Sequence, residues 1–133
     1  MKLAFTTLAC PDWTFEQCIE AAQRYGYAGL ELRLLDGETI SSTLTREQRQ
    51  RVRALAQQAN LPIIGLDTSL RVAQADADMR AQLIREGVAL LELAHDLEAP
   101  FIRVFAGPPG GIHEEAAIAG AVATLEPLAQ RGQ

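Results

Sequence analysis

Hydrophobic and polar residues alternate between two periods along this chain, and the alternation recurs four times. Short extended runs stand at Lys2–Thr6 (KLAFT), Ala28–Leu34 (AGLELRL), Pro62–Asp67 (PIIGLD) and Phe101–Phe105 (FIRVF). Each is followed by apolar residues at three- and four-residue spacing, the pattern of an amphipathic helix. Helix one begins near Thr14 and places Phe15, Cys18, Ile19 and Ala22 on one face. Thr14 and Gln17 form a capping box, and Gly26 ends the helix. Helix two starts at Thr45, with Gln48 as a second capping box, and buries Val52, Leu55, Ala56 and Ala59. Helix three runs from about Ala77 to Leu97, with Leu83, Leu90, Leu91 and Ala94 on one side. Helix four starts near His113 and carries Ile118, Ala121, Val122, Leu125 and Leu128. Connections are short except at 36–44 and 68–76.

Strands alternating with helices imply a parallel sheet built from right-handed crossovers. An open nucleotide-binding sheet would want G-x-G-x-x-G after its first strand. Here the segment is TTLACPDWT, which has no glycine. The strand midpoints fall near residues 4, 31, 65 and 103, an average repeat of about 33 residues. Eight such repeats come close to the roughly 250 residues of a (β/α)8 barrel. The expected fold is therefore α/β: a (β/α)4 parallel half-barrel, the N-terminal half of a TIM barrel, with residues 1–133 as a single domain.

The charge pattern then becomes informative. In a barrel strand, side chains alternate between the lumen and the helix layer. With Leu30, Leu32 and Leu34 toward the helices, Glu31 and Arg33 point into the lumen. On strand three, Ile64 and Leu66 face the helices while Ile63, Gly65 and Asp67 face inward. On strand four, Ile102 and Val104 face outward and Phe101, Arg103 and Phe105 inward. Glu31, Arg33, Asp67 and Arg103 thus converge, two of each sign. Two readings stay open. One is a lumenal ion-pair network, Glu31 with Arg33 or Asp67 with Arg103, and such pairs add little net stability. The other is a binding site, because these barrels work at the C-terminal ends of their strands. Arg33 and Asp67 lie there, and an arginine can hold a sugar hydroxyl or a phosphate in bidentate fashion. Glu31 lies deeper and would orient Arg33.

Other candidates carry less. His113 follows the Gly-rich AGPPGG (residues 106–111) at the start of helix four, and a helix N-terminus can hold phosphate. Glu114 and Glu115 in the first turn would repel it. Cys10 reads as a buried small residue, and His95 complements the dipole at the end of helix three.

Composition excludes some classes. The net charge is −5 and the pI near 5, and the basic residues are scattered apart from Arg46, Arg49, Arg51 and Arg53, which fit a solvated helix face. Nucleic acid is thus not the expected partner. No apolar run reaches the roughly 18 residues of a membrane span, and MKLAFTTLACPDW is too interrupted for a signal peptide. Cys10 and Cys18 have neither a zinc spacing nor a disulfide framework. A cytoplasmic protein with reduced thiols is expected.

Three passages resemble one family. They are the helix entry W-x-F-E-x-x-x-x-A-A, the second strand G-Y-x-G-L-E-L-R, and the late LAHDLEAPFIRVFAG. They resemble the sugar phosphate isomerase/epimerase group, the xylose isomerase-like barrels that also include the apurinic-endonuclease type. The resemblance implies metal-dependent isomerisation or epimerisation of a sugar or related polyol or keto compound. A divalent metal (Mn, Mg, Zn or Co) polarises the sugar oxygens while carboxylates or His move a proton, or assist a hydride shift. In the family, Glu, Asp, His and Glu at the ends of strands five to eight hold that metal. None of these can be carried onto residues 1–133, so the resemblance assigns this chain no metal ligand and no catalytic residue. It implies a sugar or sugar phosphate-like ligand, with Trp13 in the first strand-to-helix loop, where the family often has an aromatic lining the sugar pocket. The candidate binding residues are Arg33, Asp67, Arg103, Trp13 and His113, with Glu31 behind them. The alternative is a non-catalytic half-barrel that binds a small molecule or a partner chain. Four strands cannot close, so the apolar edges of strands one and four, and side chains such as Phe5, Ile63, Phe101 and Phe105, point to a homodimer or other self-association.

Overall fold

A computed structural model describes residues 1–107 and 113–132. Four strands, β1 (Phe5–Thr6), β2 (Leu30–Leu32), β5 (Ile63–Arg71) and β6 (Ile102–Phe105), form one parallel sheet in the order β1-β2-β5-β6. A short antiparallel hairpin, β3 (Leu34–Leu35) and β4 (Glu38–Thr39), leaves the sheet after β2. The helices are α1 (Phe15–Tyr25), α2 (Arg46–Gln58), α3 (Ala77–Asp96) and α4 (Glu114–Arg131).

Local chemistry sets the helix boundaries. Thr14 Oγ1 accepts the Gln17 amide while Gln17 Oε1 accepts the Thr14 amide, and Thr45 with Gln48 repeats the arrangement on α2. Both predicted capping boxes are present. Gly26 closes α1 at φ 73°, a left-handed backbone that a β-carbon would strain. Asp76 caps α3 through the Met79 amide at 2.8 Å. One core holds Phe15, Ile19 and Ala22 of α1, Val52 of α2, Leu90 and Leu93 of α3, and Leu30, Leu32 and Leu66 of the sheet.

Several strand expectations need correction. The second strand ends at Leu32, not Leu34, because Leu34 and Leu35 turn into the hairpin. Thr7 causes the departure: its buried hydroxyl accepts the amides of Arg33 (3.0 Å) and Leu34 (2.8 Å) and donates to the Leu34 carbonyl (2.8 Å). It supplies the bonds that a neighbouring strand would otherwise provide. The third strand continues through 68–71, a stretch expected as loop.

Facing on that strand also differs. The pairing shifts between Leu30/Ile63 and Glu31/Gly65. The extra residue turns Ile63 into the core, where it is 3% exposed, and leaves Ile64 41% exposed on the lumenal side, the reverse of the expected assignment. On β6 the expected facing holds: Ile102 and Val104 pack against the core.

Helix α4 buries Gly120, Thr124 and Leu128, whereas Ile118, Val122 and Leu125 of its expected face are exposed. Thr124 donates to the Val72 carbonyl at 3.1 Å, seating the helix on the end of β5. Among the described residues no further strand pairs with β6 in the sheet. Of the side chains expected at an open edge, Phe101 is 71% exposed, Phe5 and Phe105 are half-buried, and Ile63 is buried.

Candidate functional site: the lumenal arginines

Register places the charged residues on one face. Leu66 pairs with Ile102 on the helix side, so Asp67 and Arg103, the next pair, stand on the lumenal side. Beyond Asp67 the pairing with β6 is irregular and resumes at Arg71 opposite Phe105. Leu70 and Val72 are buried in the core, and the exposed Arg71 between them points to the other, lumenal side. Arg71 therefore joins the lumenal set at the C-terminal end of the longest strand. The alternation Thr68, Leu70, Val72 against Asp67, Ser69, Arg71 was the sequence signal for it.

Asp67 is the hub. Its Oδ2 accepts Arg103 Nη1 at 3.0 Å, and its backbone carbonyl accepts Arg33 Nη1 at 3.1 Å. The Asp67 side chain is 2% exposed against 53% for Arg103, so one end of the pair is dry and the other wet. The Arg103 guanidinium also lies over the Phe105 ring, 4.6 Å from its centre, a cation–π contact that fixes its plane. Asp67 Oδ1 is buried without a hydrogen-bond partner among the described residues. Leaving it so costs about 1–3 kcal/mol. The stem of Arg71 lies 3.5 Å from where a β-carbon on Gly107 would sit, and Gly107 has φ 94°. That glycine lets the chain leave β6 close over Arg71.

The predicted candidates divide. Arg33, Asp67 and Arg103 are brought together, and the expected Asp67–Arg103 pair is formed. Glu31 is half-buried opposite Gly65, one step deeper. Among the described residues no ion pair joins it to Arg33; Thr7 and the Asp67 carbonyl orient Arg33 instead. Trp13 lies apart from the cluster, 40% exposed, in a shallow groove with Gln17, Ala21 and Tyr25 on the outer side of α1. His113 is exposed at the N-cap of α4 and makes no side-chain capping bond. Most of the glycine-rich segment before it (108–111) lies outside the described residues.

Cys10 is half-buried rather than buried, and burial pushes the Cys18 thiol up to about 11. His95 is exposed at the end of α3. A groove of about 610 Å³ between α3, the end of α4 and Phe101 opens at the N-terminal end of β6. Ligands of such barrels sit at the other end.

The lumenal residues do not fit a metal. Among the described residues no three His, Cys, Asp or Glu side chains gather in a metal-binding group. The two lumenal carboxylates are interleaved with arginines, and one is already engaged by Arg103. Among the described residues no helix is long and apolar enough to cross a membrane.

The chain matches the family described as the xylose isomerase-like TIM barrel over residues 19–133. No curated protein gives a significant match. Among solved structures it is similar to D-psicose 3-epimerase from Clostridium cellulolyticum H10, determined with D-tagatose: TM-score 0.79, 16% identity, covering 99% of this chain and 48% of that one. It is also similar to the Escherichia coli 3-keto-D-glucoside 4-epimerase in its apo form, at TM-score 0.72 and 15% identity, covering 98% and 51%. A probable 3-DHS dehydratase involved in petrobactin synthesis in Bacillus anthracis gives TM-score 0.72 and 17% identity, covering 100% and 50%. The chain thus spans about half the length of these structures, and its four-stranded sheet matches the N-terminal half of a TIM barrel.

Proposed function

The chain belongs to the xylose isomerase-like TIM barrel family, and on that premise we propose that it forms the N-terminal half of a sugar isomerase or epimerase barrel. In this reading its lumenal face binds a sugar or sugar phosphate-like molecule. The observation that carries it is the convergence of Arg33 and Arg103 on Asp67 at the lumenal face. Epimerases among the structural neighbours support the reaction class. Arg33 and Arg103 donate to ligand oxygens, and Asp67 and Thr7 hold the arginines in place. Proton movement and any divalent metal belong to groups outside residues 1–133, and no metal-dependent step is assigned to these side chains. The two unpaired thiols favour a cytoplasmic setting.

Titration of the isotope-labelled 133-residue chain with D-fructose tests the reading. Amide shifts should concentrate at 31–34, 67–71 and 103–106. Shifts spread evenly over the surface, or confined to the groove beside Phe101, would refute it.

A second reading is favoured by the edges of β1 and β6, which pair with no further strand among the described residues. Phe101, Ile64 and the α4 stripe Ile118, Val122 and Leu125 are exposed beside them. A two-fold dimer could pair β6 of each copy with β1 of the other and close eight strands. Sedimentation equilibrium at micromolar concentration should then give about twice the 14.4 kDa chain mass. A stable monomer that binds no apolar dye contradicts it.

A further inference from the structure

We infer that the lumenal mouth is an oxyanion seat, built from Arg33, Arg71 and Arg103 and selecting a ligand that carries a phosphoryl or carboxylate group. The inference rests on the lumenal reading above and narrows its ligand class.

The first argument is charge. The chain as a whole is acidic, at −5, yet three arginines from three neighbouring segments stand on the lumenal side of the sheet. Among the described lumenal residues Glu31 and Asp67 oppose them, leaving an excess of one positive charge. The excess is larger at the mouth, because Glu31 lies a step deeper and Asp67 is almost fully buried. A local positive excess on an acidic protein raises the concentration of an incoming anion there.

The second argument is preorganisation. Arg33 and Arg103 are each tethered through Nη1 alone, to the carbonyl and the carboxylate of the same residue. Among the described residues, Nε and Nη2 of both make no hydrogen bond. Phe105 holds the plane of Arg103, and Arg71 makes no ion pair or hydrogen bond among the described residues. Two oriented guanidinium forks, and a third that makes no ion pair among the described residues, match the planar and tetrahedral oxygens of carboxylate and phosphate. A network serving only stability would pair its charges off; here the Asp67 carboxylate takes Arg103, its main-chain carbonyl takes Arg33, and among the described residues Arg71 makes no ion pair.

Calorimetric titration of the full chain with inorganic phosphate and, separately, with acetate tests this at low salt. Saturable one-site binding is expected, weakened about tenfold or more by Arg71→Gln, since one charge-assisted contact is lost. Arg103→Gln should weaken it similarly. Arg71→Gln keeps the test valid if Arg103→Gln fails to fold, because the Arg71 side chain makes no ion pair or hydrogen bond among the described residues and Gln keeps the stem beside Gly107. Arg53→Gln, on the outer face of α2 where Arg53 pairs with Glu98, should leave binding unchanged. Tighter phosphate assigns a phosphoryl group, tighter acetate a carboxylate. Absence of saturable binding, or equal binding by Arg71→Gln and the parent chain, overturns the seat. If D-fructose still shifts the lumenal amides in that case, only the anion preference falls. If it does not, the lumenal reading falls as well.

Discussion

Replacing Arg103 by Met would strand a carboxylate inside the protein. In the parent chain the Asp67 side chain is 2% exposed, and among the described residues its carboxylate has one partner, Arg103 at 3.0 Å, while Oδ1 has none. Arg103→Met keeps most of the stem and removes the charge that, among the described residues, opposes the Asp67 carboxylate. Breaking a buried pair from one side costs about 3–5 kcal/mol. Arg103 is half in water, which screens part of the attraction, so the expected loss is about 2–3 kcal/mol. Urea unfolding followed by far-UV circular dichroism, at one fixed protein concentration, should show the midpoint falling by roughly 1 M with an unchanged slope. The double variant Asp67→Val/Arg103→Met removes the stranded charge and its orphan oxygen together. It should recover at least half of the loss, because replacing both partners is cheaper than removing one. Either of two results would refute the reasoning: Arg103→Met within about 0.5 kcal/mol of the parent, or a double variant that loses the sum of the singles.

Three further outcomes follow from other parts of the fold. Hydrogen bonds from the Arg51 guanidinium hold the carboxyls of Glu16 and Asp36 below their ordinary values of 4.5 and 3.8. Their stabilisation is present above those values and lost as pH falls through the lower folded ones, so melting temperature should drop on acidification below about pH 4.5. Arg51→Gln should flatten that limb, and an unchanged acid limb would contradict the assignment; as the groups are largely exposed, the effect is about 1 kcal/mol or less. Gly120→Ala would place a β-carbon 2.8 Å from the Gln74 carbonyl carbon, backbone that cannot yield cheaply. It should destabilise by about 1–3 kcal/mol despite the better helix propensity of Ala, and a rise in urea midpoint would refute the close approach. Finally, a thiol reagent at pH 8 should label Cys10 well before Cys18, whose thiol burial pushes up to about 11; equal rates would mean that α1 opens readily.

Much of the scaffold was legible because its signals are local. Thr14/Gln17, Thr45/Gln48 and Gly26 act within four residues of chain, and each sits where the pattern put it. The misplaced elements depend on partners distant in sequence. β2 stops at Leu32 because Thr7, 26 residues away, takes the Arg33 amide. Ile63 and Ile64 exchange faces because of a slip in pairing with β2, which two adjacent isoleucines cannot reveal on their own. The α4 stripe was correctly seen as apolar; its exposure reflects which surface is available to cover it, and that is a property of the sheet's edge.

The site shows the same division at closer range. Alternation alone placed Arg33, Asp67 and Arg103 on one face, since facing in a strand follows from parity once one buried residue is known. The same parity reaches Arg71, but Thr68 and Ser69 read as the start of a loop and cut the count short. What parity could not supply is the hierarchy among the charges. Asp67 and Arg33 look equivalent in sequence, yet the burial of one and the tether of the other make Asp67 a support and Arg33 a donor. Glu31 was assigned as the residue that orients Arg33, and the geometry gives that work to Thr7 and the Asp67 carbonyl. This reassignment matters for function. An arginine paired with Glu31 would be neutralised before any ligand arrived, whereas one tethered to a carbonyl keeps its full charge for the ligand. The positive lumenal mouth of an acidic protein therefore rests on a threonine hydroxyl and a main-chain oxygen, neither of which a charge pattern can show.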